Sequence, residues 1–155
     1  MYEVGAILHG QFDFYSQGKK TKYAIILYRD QDNFILTPFT TSKERSGTES
    51  PVHGANPTKA DPKSYVFKAK IEIGLNPDGN PFSFSKDTTI VPDYGLSLKS
   101  IEEFNSKVEN LKKVCQLHPS EYIELIYVLY KSKKKTNLKY KNYFGKVLDE
   151  LLSKK

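Results

Sequence analysis

The first ninety residues carry short apolar runs separated by polar breaks, a pattern that is typical of β-strands. Residues 23–28 are continuously apolar, residues 30–33 are polar, and residues 34–36 are apolar again. A continuous apolar run indicates a strand that is buried on both faces, and a short polar break between two runs indicates a β-hairpin. Residues 4–8 form another apolar run and predict an earlier strand.

Residues 40–64 interrupt this pattern because they are polar and contain glycine, proline and charged side chains. A loop of this length is uncommon inside a compact domain and is usually either functional or disordered. After it, residues 67–73 are apolar at every second position, which predicts a strand with one buried face. Residues 76–81 have the composition of a turn, and residues 82–91 predict a further strand.

The apolar spacing changes to that of helices after residue 97. Ser100 and Glu103 stand at the spacing of a capping box, which marks the start of a helix. Apolar residues then recur at three- and four-residue steps, namely Ile101, Phe104, Val108, Leu111 and Cys115. We therefore predict a helix over residues 100–115, followed by helices over residues 120–133 and 139–153.

Strands followed by helices predict an α+β fold. We expect residues 1–96 to form a small antiparallel β-barrel that carries the long loop 40–64. The C-terminal helical segment, residues 97–155, is expected to pack on this barrel. The aromatic side chains of the last helix either pack inward or offer a surface on which nucleic-acid bases stack; they are Tyr140, Tyr143 and Phe144.

The composition excludes several classes of protein. No apolar run approaches the roughly 20 residues that span a bilayer, and the first residues lack the features of a signal peptide, so we expect a cytoplasmic protein without membrane contact. Cys115 is the single cysteine, so no internal disulfide can form. The histidines are scattered, and no glycine-rich phosphate loop or nucleophile elbow is present. We therefore expect no metal site and no cofactor.

The positive charge is concentrated near the C-terminal end. The net charge is +6, whereas residues 131–155 alone carry nine lysines against Asp149 and Glu150. Almost all the cations are lysines, which attract phosphate as point charges and do not read base sequence. This basic tail is either a surface that attracts RNA or a solvated face that keeps the protein soluble.

Hairpin geometry predicts a cationic rim at one edge of the sheet. The start of the first hairpin strand should lie beside the end of the second, so Lys20 and Lys22 are expected close to Thr40 and Thr41. Ammonium groups beside hydroxyls suit a phosphodiester. The alternative interpretation is that polar residues flank this hairpin because turns are polar.

Three short motifs follow one another along the chain: Gly5-Ala6-Ile7-Leu8, Lys22-Tyr23-Ala24-Ile25-Ile26-Leu27 and Pro38-Phe39-Thr40-Thr41-Ser42. Together they resemble the PemK/MazF family of toxin endoribonucleases, and residues 84–90 are similar to a later core strand of that family. The resemblance covers residues 4–45 and 82–104. It implies a small β-barrel that commonly forms a homodimer, metal-independent cleavage of single-stranded RNA, and a cognate antitoxin that is a protein or an RNA.

The resemblance also implies roles for individual residues. Thr40, with Thr41 beside it, matches the threonine that contacts the scissile phosphate, and Lys22 stands where the family has its catalytic arginine. In the implied chemistry the ribose 2′-hydroxyl attacks the adjacent phosphate. Lysine lacks the planar fork of arginine, so either Lys22 acts, or Arg45 of the long loop reaches the site, or cleavage is lost. His53 is either an acid or base in the reaction or a solvent-exposed loop residue.

Two functional hypotheses follow. The first is a toxin-like endoribonuclease of a toxin–antitoxin or phage-defence system, with a catalytic site at Lys22, Thr40, Thr41, Arg45 and His53. Its expected RNA-binding residues are Lys19, Lys20, Lys43, Ser85, Lys86 and Thr88. The second is a non-catalytic barrel that binds nucleic acid or a protein, as the CcdB-type barrels poison a topoisomerase. The missing arginine favours the second hypothesis.

Overall fold

The computed structural model describes residues 1–14, 17–41, 52–56, 64–91, 96–132 and 135–153. In chain order the strands are β1 (Ala6–Asp13), β2 (Lys19–Ile25), β3 (Tyr28–Arg29), β4 (Phe34–Thr37), β5 (Thr40–Thr41), β6 (Gly54–Asn56), β7 (Ser64–Phe67), β8 (Gly74–Leu75), β9 (Pro81–Phe82), β10 (Thr88–Ile90), β11 (Ser97–Ser100) and β12 (Val108–Leu117). The helices are α1 (Ile101–Ser106), α2 (Pro119–Lys131), α3 (Lys135–Lys139) and α4 (Lys141–Ser153). Two predicted site residues of the long loop, Lys43 and Arg45, lie outside the described residues.

The strands form three sheets. The largest has the order β2-β1-β12-β8-β9, the second has the order β5-β10-β7-β6, and the third has the order β11-β4-β3. Within the described residues every pairing between these strands is antiparallel. The prediction of an α+β fold with antiparallel strands and a C-terminal helical region is therefore confirmed.

Strand β1 is buried on both faces over its first three residues and separates two hydrophobic clusters. Ile7 belongs to the first cluster, which also contains side chains of β7, β10, α2 and α4. Leu8 belongs to the second cluster, together with Phe39 and Phe104. Neighbouring residues of a strand point to opposite faces, so one central strand supports both clusters. Burying a side chain of this size contributes about 1.5–3 kcal/mol to stability.

The prediction of a helix over residues 100–115 is wrong beyond Ser106. Helix α1 begins as expected, because the Ser100 hydroxyl accepts a hydrogen bond from the Glu103 N–H at 3.1 Å. It ends after six residues, and β12 follows in the centre of the largest sheet, between β1 and β8. The strands therefore continue to Leu117 instead of ending near residue 96.

Two bulges explain why β12 has the apolar spacing of a helix. The register with β1 shifts twice, so that β12 carries an extra residue at each place. At one bulge Asn110 adopts a φ of 57°, which asparagine tolerates better than most residues. Gly10 faces this bulge, where a Cβ would come within 2.6 Å of a β12 side chain. An inserted residue turns a two-residue step into a three-residue step, so Val108 and Leu111 both pack against the second cluster although they are three residues apart.

The strands predicted over residues 67–73 and 82–91 are shorter than expected. Strand β7 ends at Phe67, and Lys70 has a φ of 67° in the turn that follows. Ile71 is consequently 43% exposed and does not continue the buried face. Strand β10 covers only Thr88–Ile90, because a bend separates it from β9.

The C-terminal helices match the prediction more closely. Helices α2 and α4 correspond to the expected helices over residues 120–133 and 139–153, and α3 is an additional short helix. Tyr140 and Phe144 are buried, and Tyr143 packs against Tyr28 with ring centroids 4.9 Å apart. These aromatic side chains therefore pack inward. In the part of the chain that the structure describes, no helix is long and apolar enough to cross a membrane.

Candidate functional site

Strand β2 lies at the edge of the largest sheet and begins with a group of lysines. Lys19 and Lys20 are exposed, whereas Lys22 is partly buried. Charged side chains on an edge strand prevent pairing with other sheets, so these residues have a structural role whether or not they bind a ligand. Their arrangement relative to β5 decides what else they can do.

The expected approach of Lys22 to Thr40 is confirmed. The Lys22 Nζ donates to the Thr40 carbonyl oxygen at 3.5 Å, which is a long hydrogen bond. A bridge between Ala24 and Phe39 brings the two segments together. The pairing register shifts by one residue between β3–β4 and this bridge, and the ammonium group still lies at the end of the second hairpin segment, as the sequence predicts.

The side chains of Thr40 and Thr41 are placed differently from the expectation of an open phosphate site. Both residues are 3% exposed. They form β5, an edge strand of the second sheet, and pair with Ile90 and Thr89 of the neighbouring β10. Lys22 therefore contacts the backbone carbonyl of Thr40, and both threonine side chains are shielded from solvent in this arrangement.

The other lysines of β2 have partners at the surface. The Lys19 Nζ lies 2.7 Å from Glu109 Oε1 of β12, and this hydrogen bond raises the pKa of Lys19. The Lys20 Nζ donates to Gln17 Oε1 at 3.2 Å and stands 6.0 Å from the centre of the Phe14 ring. A lysine ammonium carries three donors, so single surface contacts leave further donors for a ligand.

Three predicted RNA-binding residues lie around the start of β10. Ser85 and Lys86 are exposed, whereas Thr88 is buried and its hydroxyl donates to the Lys86 carbonyl at 2.9 Å. The next residue, Thr89, pairs with Thr41. This segment therefore neighbours the rim through β5, with two of its three side chains accessible to a ligand.

His53 does not join the rim. It directly precedes β6, which forms the other edge of the sheet that contains β5. Three strand spacings of roughly 4.8 Å each separate these edges by about 14 Å. The His53 Nδ1 accepts the Lys68 backbone N–H at 3.1 Å, so Nε2 carries the proton and donates to Glu121 Oε1 at 2.5 Å.

Glu121 joins His53 to Tyr65, and we call these three residues the closed cluster. The Tyr65 hydroxyl also bonds to the Glu121 carboxylate, and burial together with this carboxylate raises the pKa of Tyr65. The cluster attaches α2 to β6 and β7. Because both ring nitrogens of His53 have partners inside the protein, this geometry serves packing and leaves no ring nitrogen to accept a proton from a substrate.

Asp87 lies next to the closed cluster and holds the backbone segment that donates to His53. Its carboxylate accepts from the Lys68 Nζ at 2.8 Å and from the Ala69 N–H at 2.9 Å. These two contacts, the lysine first, hold the pKa of Asp87 below its usual value. The aspartate thereby fixes the backbone at Lys68, whose N–H is the donor to His53.

Neither Glu121 nor Tyr65 has a feature in the sequence that marks it as a partner of His53. Glu121 is 68 residues away from His53 along the chain. Among the described residues no group of three histidine, cysteine, aspartate or glutamate side chains could hold a metal ion. Cys115 is buried, and this burial raises the pKa of its thiol to about 12, so it is a poor nucleophile at neutral pH.

Comparison with known proteins gives no relative from which a role could be transferred. No protein-family model matches the chain, no curated protein matches it, and no solved structure matches its fold.

Proposed function

We propose that this protein acts on single-stranded RNA and that it binds the phosphate backbone along the rim formed by Lys20, Lys22, Thr40 and Thr41. The observation that carries the proposal is the placement of the Lys22 ammonium group at the end of β5, on a lysine-bearing edge strand. Lysines in such a row attract phosphates without selecting a sequence. The exposed Ser85 and Lys86 extend the polar surface beyond β5.

The first form of this function is cleavage, as in a toxin-like, metal-independent endoribonuclease. It is supported by the ordered resemblance to the PemK/MazF family and by the Lys22–Thr40 approach. In that reaction the ribose 2′-oxygen bonds to phosphorus while the bond from phosphorus to the 5′-oxygen breaks. A base takes the 2′-hydroxyl proton, an acid protonates the 5′-oxygen, and the Lys22 charge stabilises the phosphorane. The products carry a 2′,3′-cyclic phosphate and a 5′-hydroxyl.

The second form is binding without cleavage. The observation that favours it is the burial of the Thr40 and Thr41 side chains, which would have to become accessible before either could contact a phosphate. His53, the expected acid or base, is held in the closed cluster by Lys68 and Glu121. A non-catalytic barrel that binds nucleic acid or a protein partner needs neither group.

An RNA cleavage assay in the presence of EDTA separates the two forms. A mixed pool of single-stranded RNA is incubated with the wild-type chain and with Lys22→Gln, Thr40→Val and Lys112→Gln. Lys112 is an exposed lysine of β12 that pairs with His9 outside the rim, so it controls for the loss of one charge. If the protein cleaves RNA, the wild type and Lys112→Gln should give fragments with cyclic phosphate ends. Lys22→Gln and Thr40→Val should give none. Intact RNA that is bound by the wild type supports the second form, and RNA that is neither bound nor cut contradicts any action on RNA.

The same proposal carries expectations about partners. A toxin of this type is held inactive by a cognate antitoxin, either a protein or an RNA, and is expected to form a homodimer. Expression of the chain alone should then arrest growth, and Thr40→Val should relieve the arrest. Growth that stays normal at a verified expression level would contradict the toxin assignment.

A further inference from the structure

A small cleft opens beside the rim, on the side of the second hydrophobic cluster. Its floor and walls consist of phenylalanine rings, which belong to Phe12, Phe14, Phe39 and Phe104. The cleft encloses about 210 Å³, which is less than the roughly 300–1,000 Å³ of sites for drug-sized ligands. The available room therefore suits one planar ring system and not a drug-sized molecule.

The rings of the cleft are arranged edge to face. Phe12 lies 4.9 Å from Phe39 and 5.5 Å from Phe104, measured between ring centroids. These three rings are buried, whereas Phe14, 5.3 Å from Phe39, is partly exposed. Phe14 is thus the ring on which a ligand can stack, and the others present an apolar floor beneath it.

Three charged residues also line the cleft, namely Lys99, Lys107 and Asp13. Lys99 is partly buried and has no salt-bridge partner among the described residues. Burial and the nearby Lys107 charge lower the pKa of Lys99. An anion placed between the two lysines would relieve this repulsion. Lys20, above the Phe14 ring, adds a further cation at the margin.

The position of the cleft connects it to the rim. Phe39 forms one wall and directly precedes Thr40, whose carbonyl accepts the Lys22 ammonium group. A ring that occupies the cleft would therefore lie next to the expected path of the phosphate backbone. Stacking on an aromatic side chain combined with lysine contacts to phosphate is the usual way in which proteins hold unpaired bases.

We propose that this aromatic cleft binds one unpaired nucleobase together with its phosphate, with Phe14 as the stacking surface and Lys99 and Lys107 as the phosphate contacts. This assignment rests on the proposed RNA function for the identity of the ligand. It adds residues to which the sequence resemblance assigns no role. The base contributes apolar and stacking contacts, and the phosphate contributes charge-assisted hydrogen bonds.

The test is a titration of the isotope-labelled full chain, followed by NMR at each backbone amide. The probes are 5′-AMP and 5′-UMP, with adenosine, uridine and inorganic phosphate as partial ligands. We expect both nucleotides to shift the amides of Phe14, Lys99 and Lys107 in a saturable way, at lower concentrations than any partial ligand. Equal shifts with inorganic phosphate alone would identify a simple anion site and overturn the proposal, as would shifts that avoid the cleft.

Variants make the test specific. Lys99→Gln and Lys107→Gln should each weaken nucleotide binding about tenfold, the size expected for one charge-assisted contact, and Phe14→Leu should weaken it while keeping an apolar side chain. Lys112→Gln, with the same change of charge outside the cleft, should bind as the wild type does. Unchanged affinity in both Lys107→Gln and Phe14→Leu, with native amide spectra, would overturn the assignment even if Lys99→Gln failed to fold.

The outcomes for the cleft and for the proposed function are distinguishable. Nucleotide binding in the cleft without binding of single-stranded RNA would support the cleft and contradict the RNA function. RNA binding that depends on Lys22, with no nucleotide effect at Phe14, would retain the RNA function and contradict the cleft assignment.

Discussion

The rim and the closed cluster place polar residues at the two opposite edges of the same four-stranded sheet, yet they differ in how much of their hydrogen bonding is used inside the protein. In the closed cluster, His53 bonds to Lys68 through one nitrogen and to Glu121 through the other. At the rim, the ammonium group of Lys22 makes one long contact with a carbonyl oxygen. The ring nitrogens of the closed cluster therefore all have partners inside the protein, whereas the Lys22 ammonium group at the rim keeps further donors for a ligand.

We expect this difference to distinguish structural side chains from ligand-binding ones better than residue type does. Histidine is the usual candidate for acid–base chemistry near neutral pH, but His53 holds a helix against a sheet. Lysine on an edge strand is usually a surface residue, but Lys22 lies where two segments of the hairpin meet. The closed cluster should therefore govern stability, and the rim should govern binding.

Removing the histidine of the closed cluster should have the largest effect on stability. His53→Ala deletes two hydrogen bonds and removes a donor from the mostly buried Glu121 carboxylate. The free energy of unfolding should therefore fall by about 2 kcal/mol. Urea denaturation followed by circular dichroism measures this change. Affinity for single-stranded RNA should stay the same under conditions where the variant is folded.

His118→Ala is the matched control for that experiment. His118 also pairs with a glutamate, Glu72, at 2.7 Å, but these side chains are 37% and 48% exposed. An exposed pair of this kind contributes roughly 0–1 kcal/mol. Equal losses of stability in the two variants would contradict the distinction between the closed cluster and ordinary surface pairs.

Asp87→Asn should have a smaller effect that depends on pH. The folded protein lowers the pKa of Asp87, through Lys68 first and the Ala69 N–H second. A lowered pKa stabilises the folded state above the pKa of the unfolded chain, and this contribution is lost as pH falls through the folded value. After allowance for solvent screening we expect a loss of about 0.5 kcal/mol at neutral pH.

Urea denaturation of the wild type and Asp87→Asn at pH 7 and at pH 2.5 checks this prediction. The difference between the two proteins should shrink at the lower pH, because protonation removes the charge of Asp87 in the wild type as well. A difference that grows on acidification would show that the sign of the linkage is wrong.

Lys19→Gln should have the smallest effect on stability. The Lys19–Glu109 pair lies at the surface, with side chains that are 50% and 57% exposed, and such pairs are screened by solvent. We expect no measurable change in Tm and a modest loss of RNA affinity at low salt. A large drop in Tm with unchanged RNA binding would contradict this prediction and show that Lys19 stabilises the fold.

The rim could be predicted from the sequence because its geometry is local. A polar stretch of four residues, 30–33, joins the two hairpin segments, and Asp30 closes the turn by accepting the N–H groups of Asp32 and Phe34 at 2.9 Å each. A short turn fixes the register of the strands that it joins. The hairpin register shifts by one residue beyond the turn, and Lys22 still lies beside Thr40, as expected. The burial of the Thr40 side chain could not be predicted, because it depends on pairing with distant β10.

Strand β12 and the closed cluster could not be predicted, for different physical reasons. The bulge at Asn110 gives strand β12 the three-residue apolar spacing that a helix also has. The closed cluster joins His53 to Glu121 across 68 residues, so no local pattern connects them. The aromatic cleft could not be predicted for the same reason, because Phe14 and Lys107 are far apart in the sequence.

The most direct test of the central claim is the binding of labelled single-stranded RNA, measured by fluorescence anisotropy in EDTA across a range of salt concentrations. We expect the affinity to fall steadily as the logarithm of the salt concentration rises. Relative to Lys112→Gln, Lys22→Gln should lose about tenfold in affinity and about 0.7 in the salt slope, as expected for one phosphate contact. Binding of RNA that is identical in these two variants, or no binding by the wild type at low salt, would contradict the central claim.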